Sequence, residues 1–289
     1  MNLKLERIRK SYGRKKVLQG IDMELSQGIY GFLGANGVGK TTLFKIISGY
    51  TRDYQGSVSY PKCKKGEVLL GVLPQNFIGY PTMTVREFLT YMANMKTEAS
   101  KQDVRMEIEE KMELFAVEEL HRKKLKALSG GQLRRVGLAQ SFLFSPKLVL
   151  LDEPTAGLDP AERIRFKNFI SDAAKEQTIL LSTHIVSDLE FICREIFVIK
   201  DGIVAEQGTQ EELLRRQEGN VWECAFENER QMHEALAGAA VSMTYSDRGM
   251  VKARVVGARP VPDAYQIQPA LNDVYLSIFR FQQEGQNEV

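Results

Sequence analysis

Gly34-Ala35-Asn36-Gly37-Val38-Gly39-Lys40-Thr41-Thr42 follows the apolar run Ile29 to Leu33, a pattern that reads as strand, glycine-rich loop and helix start. The loop fits G-x-x-x-x-G-K-[ST], with Lys40 and Thr41 at the specified polar positions. Glycines let the main chain turn so that successive N–H groups point inward as an anion nest, and a helix N-terminus adds partial positive charge. Lys40 is then placed as a point charge toward the β- and γ-phosphates of a triphosphate, and the Thr41 hydroxyl as a ligand of Mg²⁺. Leu43, Ile46 and Ile47 carry the i, i+3, i+4 spacing of a helix packed on a sheet, which sets this loop apart from a merely flexible glycine tract. The stretch implies a nucleoside triphosphate gripped by its phosphates.

Outward from this loop the pattern changes several times. Residues 1 to about 33 alternate apolar and polar positions (Leu3, Leu5, Ile8; Val17, Ile21, Met23, Leu25), as antiparallel strands do. A short apolar strand, Val68 to Leu73, runs into Pro74-Gln75. Thr84-Val85-Arg86-Glu87 is a capping box, and the faces Val85/Phe88/Leu89/Met92 and Val104/Ile108/Met112/Phe115 predict a helical insertion over about 77–145. Uninterrupted apolar runs, Leu148 to Leu151 and Thr178 to Leu181, predict buried parallel strands. Asp201-Gly202 between two apolar runs predicts a hairpin. Near 216–220 the composition turns polar, and beyond it a small α+β module is expected, with strands near 221–227 and 250–256.

Composition narrows the function classes. The chain has 289 residues, 43 % of them apolar, enough for one large domain or a domain with an appendage. A formal net charge of +2 argues against a nucleic-acid surface built on bulk electrostatics. Cys63, Cys193 and Cys224 are scattered and odd in number, and neither they nor His121, His184 and His233 show metal-ligand spacing, so a reducing cytosol and no structural zinc are expected. The N-terminus is charged and alternating, unlike a signal peptide, and no run of eighteen apolar residues exists to span a bilayer. Any work at a membrane then requires a partner.

Two further constellations carry chemistry. The strand Leu148 to Leu151 ends in Asp152-Glu153, and carboxylates at the C-terminal edge of an α/β sheet lie beside the phosphate loop. Asp152 is expected to hold Mg²⁺, directly or through water, and Glu153 to polarise the water that attacks the γ-phosphate. Two acids capping the next helix are the plainer alternative. Leu128-Ser129-Gly130-Gly131-Gln132 opens a helix carrying Leu133, Val136, Gln140 and Leu143, and two glycines beside a helix N-terminus form a second phosphate-binding surface. One chain with two such elements is most simply a chain that shares its nucleotides across a dimer interface.

On these residues the chain resembles the nucleotide-binding subunit of an ATP-binding cassette (ABC) transporter over residues 1 to about 217. Leu128 to Gln132 is similar to that family's signature, Gly34 to Thr42 to its Walker A loop and Leu148 to Glu153 to its Walker B strand. Gln75 falls at the Q-loop, Gly157-Leu158-Asp159 at the D-loop, His184 at the switch position, and Tyr12 resembles the aromatic that stacks on adenine, with Val17 bordering the ribose. The resemblance implies an α/β fold: a P-loop NTPase core with a mostly parallel sheet, an N-terminal antiparallel β subdomain, a helical insertion and a small C-terminal α+β module. It implies an ATPase domain over 1–217 and an accessory module over 218–289, with ATP and Mg²⁺ as ligands. Glu153, His184, Gln75 and Lys40 become the catalytic set, Thr41, Gln75 and Asp152 the metal set, and Ser129, Gly130, Gly131, Gln132 and Asp159 the surface offered to the nucleotide of a second copy.

Ala35 departs from the proline common in the family, which loosens the loop slightly because Pro restricts φ and Ala does not. Gln268-Pro269-Ala270-Leu271-Asn272-Asp273-Val274-Tyr275-Leu276 resembles the segment that ends many ATPase subunits of bacterial exporters with a separate membrane permease. The same residues also read as an amphipathic terminal helix (Leu271, Val274, Tyr275, Ile278) packing on its own module. The expectation is an ATPase peripheral on the cytoplasmic face of the cell membrane, bound to a permease, without nucleic acid. A soluble ABC ATPase of translation or DNA maintenance, and an ATP-binding immunity or sensor protein, are the alternatives.

Overall fold

The alternating N-terminus folds as a ribbon, β1 (Leu3–Tyr12) against β2 (Lys15–Leu25), reversing at Gly13 with φ +56°. The computed structural model describes residues 2–279, so Met1 and the part of the expected 218–289 module beyond 279 lie outside the described residues. The stretch Ile29–Leu33 does not belong to this antiparallel set. It lies in β3 (Gly28–Leu33), which pairs parallel with strands far along the chain, because its side chains are buried on both faces instead of alternating in and out. The helix α1 (Lys40–Ile47) follows the glycine loop, and β4 (Gln55–Ser59) returns to the other edge of β1.

β5 (Leu70–Leu73) leads into α2 (Val85–Lys96), α3 (Lys101–Leu114) and α4 (Gly130–Ser141). Thr84 caps α2 with the reciprocal Glu87 contact that the sequence signals. Next come β6 (Leu148–Asp152), α5 (Pro160–Ala173), β7 (Thr178–Thr183), β8 (Glu195–Lys200) and β9 (Ile203–Gly208), with the last two closing the hairpin at Asp201-Gly202. Among the described residues the main sheet has the order β5-β6-β7-β3-β8-β9, parallel except for β9.

This sheet is covered on both sides. Tyr30, Phe32, Leu148, Leu150, Leu180 and Phe197 pack with α1 and the β1–β2 ribbon on one face. Ile29, Leu33, Val149, Leu151, Ile179 and Val198 pack with α2 to α5 on the other. Strands β3, β6 and β8 thus send successive side chains into two different cores, which is why the sequence shows uninterrupted apolar runs there.

α6 (Gln210–Arg215) leads to β10 (Val221–Phe226), α7 (Glu229–Ala235), β11 (Ala240–Asp247), β12 (Met250–Val256), β13 (Tyr265–Gln266) and α8 (Leu271–Phe279). These strands form a second antiparallel sheet, β11-β12-β10-β13, with a small core of its own around Cys224, Met232 and Val255. α8 does not pack on this module alone. Leu271, Val274 and Phe279 enter the main core, Lys200 donates to the Ile278 carbonyl, and α8 lies against the turn Val186–Asp188. Its fully buried Asp273 meanwhile accepts from Arg254 and Ser242 of the small sheet, so one helix joins both cores.

The strand order positions the site. Leu33 pairs with Thr183, Asp152 with Ser182 and Leu73 with Leu151, which lines up the carboxyl ends of β3, β5, β6 and β7 along one edge. The loop Gly34–Thr42, Gln75, Asp152-Glu153 and His184 all leave from that edge, where open α/β sheets bind ligands.

Candidate functional site

The loop after β3 is built on glycines whose missing side chains are structurally required. A Cβ at Gly34 would lie 2.5 Å from the Ile199 carbonyl oxygen, and one at Gly39, where φ is +115°, would lie 2.9 Å from that of Val17. Gly39 is also the N-cap of α1 and supplies no side-chain acceptor, and the first turn holds no acid. The leading N–H groups of α1 are thus left to an external anion. Lys40 is 6 % exposed, and its Nζ donates to the carbonyls of Gly34 (2.6 Å) and Ala35 (3.0 Å). Burial pushes its pKa below the ordinary lysine value, while Glu153 and Asp152 pull the other way.

Opposite the loop, Asp152 is 3 % exposed and is held by hydroxyls: Thr41 Oγ1 donates to Oδ2 at 2.7 Å, and Ser182 Oγ donates to Oδ1. Among the described residues no lysine or arginine forms an ion pair with it. A buried carboxylate hydrogen-bonded by hydroxyls, with no ion-pair partner among the described residues, is an oxygen-donor set suited to a hard cation. No cluster of three His, Cys, Asp or Glu side chains that would hold a metal occurs among the described residues, so a cation here must take further oxygens from phosphate and water.

Glu153 has a left-handed backbone, φ +53°, a conformation that costs a non-glycine residue of order 1–3 kcal/mol and concentrates at functional sites. The turn sets its carboxylate against the end of β7, where His184 Nδ1 lies 2.8 Å from Oε1 and Thr183 Oγ1 donates to Oε2 at 3.4 Å. The carboxylate is the acceptor for the imidazole, which assigns the proton to Nδ1. Ser182 and Thr183 are the polar groups at this edge that the motifs did not single out, although their place immediately before His184 on a strand end is visible in the sequence.

Val17, Asn36, Gly37, Gly39, Lys40, Thr41, Thr42, Gln75, Asp152 and Glu153 line a single cleft of about 150 Å³. That is below the 300 Å³ at which pockets for whole small molecules begin, a size suited to a phosphate group rather than to a whole nucleotide. Val38 instead turns its side chain inward toward the core with Leu18 and Phe44. Tyr12 ends β1 half-exposed, with Lys10 Nζ 4.8 Å from its ring centroid, and does not line the cleft.

Ser129, Gly130, Gly131, Gln132 and Asp159 do not line it either. Ser129 caps α4, accepting from Gln132 N at 3.3 Å while the Gln132 side chain accepts from Ser129 N at 3.1 Å. Asp159 caps α5 in the same manner with Glu162. The two glycines differ: a Cβ at Gly131 would lie 2.6 Å from the Gly157 carbonyl oxygen, whereas one at Gly130 meets nothing within 4 Å. Gly131 serves the chain's own packing, and Gly130 leaves an open surface at the start of a helix.

Comparison with known proteins shows the family and the fold. The sequence profile of the family described as "ABC transporter" matches residues 18–156. The chain is 31 % identical to Nod factor export ATP-binding protein I of Burkholderia thailandensis, over 94 % of this chain and 95 % of that protein. It is 33 % identical to the tungstate uptake system ATP-binding protein TupC of Peptoclostridium acidaminophilum, over 71 % of this chain and 98 % of that one. In fold it resembles the dimeric post-hydrolysis structure of the ATP-binding cassette MJ0796 bound to ADP and Pi, with a TM-score of 0.66 at 23 % identity over 71 % of this chain and 97 % of that chain.

Proposed function

The chain belongs to the ABC transporter family as an ATP-binding subunit that hydrolyses ATP, and from that premise we propose that it dimerises around two ATP molecules and drives export through a separate membrane-spanning permease. The observation that carries this reading is a split. Lys40, Thr41, Gln75, Asp152 and Glu153 line one cleft, while Ser129–Gln132 and Asp159 lie outside it. A second copy supplies the missing half, its Ser129, Gly130, Gly131, Gln132 and Asp159 closing over the γ-phosphate.

Within that arrangement the N–H groups of Asn36 to Thr42 cradle the phosphates, with Gly34 and Ala35 shaping the approach. Lys40 exchanges its two carbonyl acceptors for phosphate oxygens. Tyr12 stacks on the adenine and Val17 borders the ribose. Thr41, Asp152 and Gln75 are the residues that would hold Mg²⁺, which when bound neutralises charge on the β- and γ-phosphates. Glu153 takes a proton from water as its oxygen attacks the γ-phosphorus and the bond to the bridging oxygen breaks, giving ADP and phosphate. His184, held by Glu153, steadies the γ-phosphate.

Exposed apolar side chains at Ile78, Tyr80, Tyr91 and Met95, close after Gln75 and on α2, favour a hydrophobic partner at this face. No helix among the described residues is long and apolar enough to cross a membrane, and in this reading the permease is a separate polypeptide with this chain at its cytoplasmic face. The export direction rests on Gln268–Leu276 and on the exporter relative that aligns through the C-terminal sheet, where the uptake relative covers only 71 % of the chain. Residues 1–217 are assigned to the ATPase domain, with its helical part at about 77–145, and 218–289 to the accessory module.

Two experiments test this. Gly130→Ala should leave folding and ATP binding intact, since alanine suits a helix and meets no neighbour, yet lower hydrolysis at least tenfold by obstructing the partner's phosphate. Wild-type turnover in Gly130→Ala would remove Ser129–Gln132 from the second site. Purified from detergent-solubilised membranes, the tagged chain should bring a multi-span protein in fixed stoichiometry. Ribosomes or DNA with no membrane protein would transfer the reading to a non-transport ATPase.

A further inference from the structure

α4 carries Ser129 at its N-cap and, less than two turns on, Arg134, which is 6 % exposed. A buried permanent charge is costly unless every donor is matched. The Arg134 guanidinium has five N–H donors and faces five main-chain carbonyls. Nη1 donates to Pro74 (3.0 Å) and Gln75 (2.9 Å), Nη2 to Asp152 and Glu153, and Nε to Pro154 (3.4 Å). Burial lowers its pKa, opposed by Asp152 and Glu153, yet among the described residues it forms no ion pair with either carboxylate. With its donors on protein carbonyls it has none to offer a substrate.

Those carbonyls belong to two turns only, the one that presents Gln75 and the one that presents Asp152 and Glu153. The helix behind Arg134 is fixed as tightly. A Cβ at Gly137 would lie 2.6 Å from Leu73 Cδ1, one at Gly71 would lie 1.8 Å from the Ser141 carbonyl oxygen, and Gln140 Nε2 donates to the Val72 carbonyl at 2.6 Å. α4 therefore packs closely on β5, main chain against main chain at Gly71 and Ser141 and through the Leu73 and Gln140 side chains elsewhere.

We propose that Arg134 is a positioning residue: it ties the helix that carries Ser129–Gln132 to the turns that carry Gln75 and Glu153, setting where the base stands relative to the attacking water. The proposal rests on Glu153 as base and on Gln75 as one of the residues that would hold Mg²⁺. A planar five-donor fork suits this role and an ammonium does not, because three donors cannot reach five acceptors on two turns. Displacement of a catalytic group by about 1 Å can cost 10²-fold in rate.

The test uses the full-length chain with Arg134→Lys and Arg134→Gln, counting active sites by bound ATP so that unfolded molecules do not enter the rate. ATP affinity should stay within about threefold of wild type and KM should change little, while kcat per ATP-binding site falls about 10- to 100-fold, more in Arg134→Gln than in Arg134→Lys. Wild-type kcat per site in both variants overturns the proposal. Loss of ATP binding in both also overturns it, since Arg134 would then serve the fold alone. Glu153→Gln measured alongside separates the two levels: if it turns over ATP normally, the base assignment itself is wrong, whereas if it is inactive and both Arg134 variants are normal, only Arg134 loses its role.

Discussion

Glu153→Gln is expected to lower the hydrolysis rate by about 10²–10⁴ while ATP affinity stays the same or rises. Glutamine keeps the volume and the carbonyl oxygen that accepts from His184 Nδ1, so the 2.8 Å contact and the turn around φ +53° have no reason to change. What disappears is basicity and one negative charge. Because that charge faces the same cleft as Lys40, its removal also lowers the repulsion felt by a triphosphate. Single-turnover hydrolysis beside equilibrium ATP binding checks both halves of the expectation. Turnover undiminished in Glu153→Gln would take Glu153 out of the base role.

Lys40→Ala should act on the opposite quantity, weakening ATP binding by about 10²-fold, since a charge-assisted contact to phosphate of some 1.5–3 kcal/mol is lost in a buried setting. A second effect accompanies it. Without nucleotide the Nζ bonds the Gly34 and Ala35 carbonyls and braces the loop, so its loss also leaves the empty nest of N–H groups looser and costlier to order around phosphate. Isothermal titration with ATP is the direct measurement, and a dissociation constant equal to wild type would overturn the phosphate-loop assignment. Together the two substitutions separate binding from chemistry within one cleft.

Much of the site was legible in the sequence because its signals are local. The glycine loop, the capping box at Thr84, the helix opened by Ser129, and the acids ending an apolar strand each lie within a few residues, and each has the expected local form. Strand partners are a different matter. Residues 1–33 alternate closely enough that β3 reads as a third antiparallel strand, and only burial on both faces distinguishes it. Arg134 was not legible for a related reason. Its acceptors are main-chain carbonyls up to 60 residues away, and main-chain groups leave no mark in a sequence.

The one available signal was a charged side chain on the buried side of α4, three and four residues before Gly137 and Leu138. α8 shows the same limit from another side. Its amphipathic spacing identifies the apolar face, but nothing in that spacing says that Asp273 anchors it to one sheet while Leu271 and Val274 enter the core of the other. In the proposed dimer Asp159 and Gln132 carry two demands at once, since the side chains that cap their own helices would also face the nucleotide of a second copy. Local capping explains their residue type without reference to a nucleotide, so only an experiment on the dimer separates the two.

The central claim is that each cleft is half of a site, completed by the other copy. Sedimentation of Glu153→Gln with and without ATP tests it most directly. The chain should sediment as a monomer without nucleotide, become a dimer with ATP, and return to monomer when Gly130→Ala is added to the same variant. A Glu153→Gln chain that has ATP bound and still sediments as a monomer at every protein concentration would contradict it.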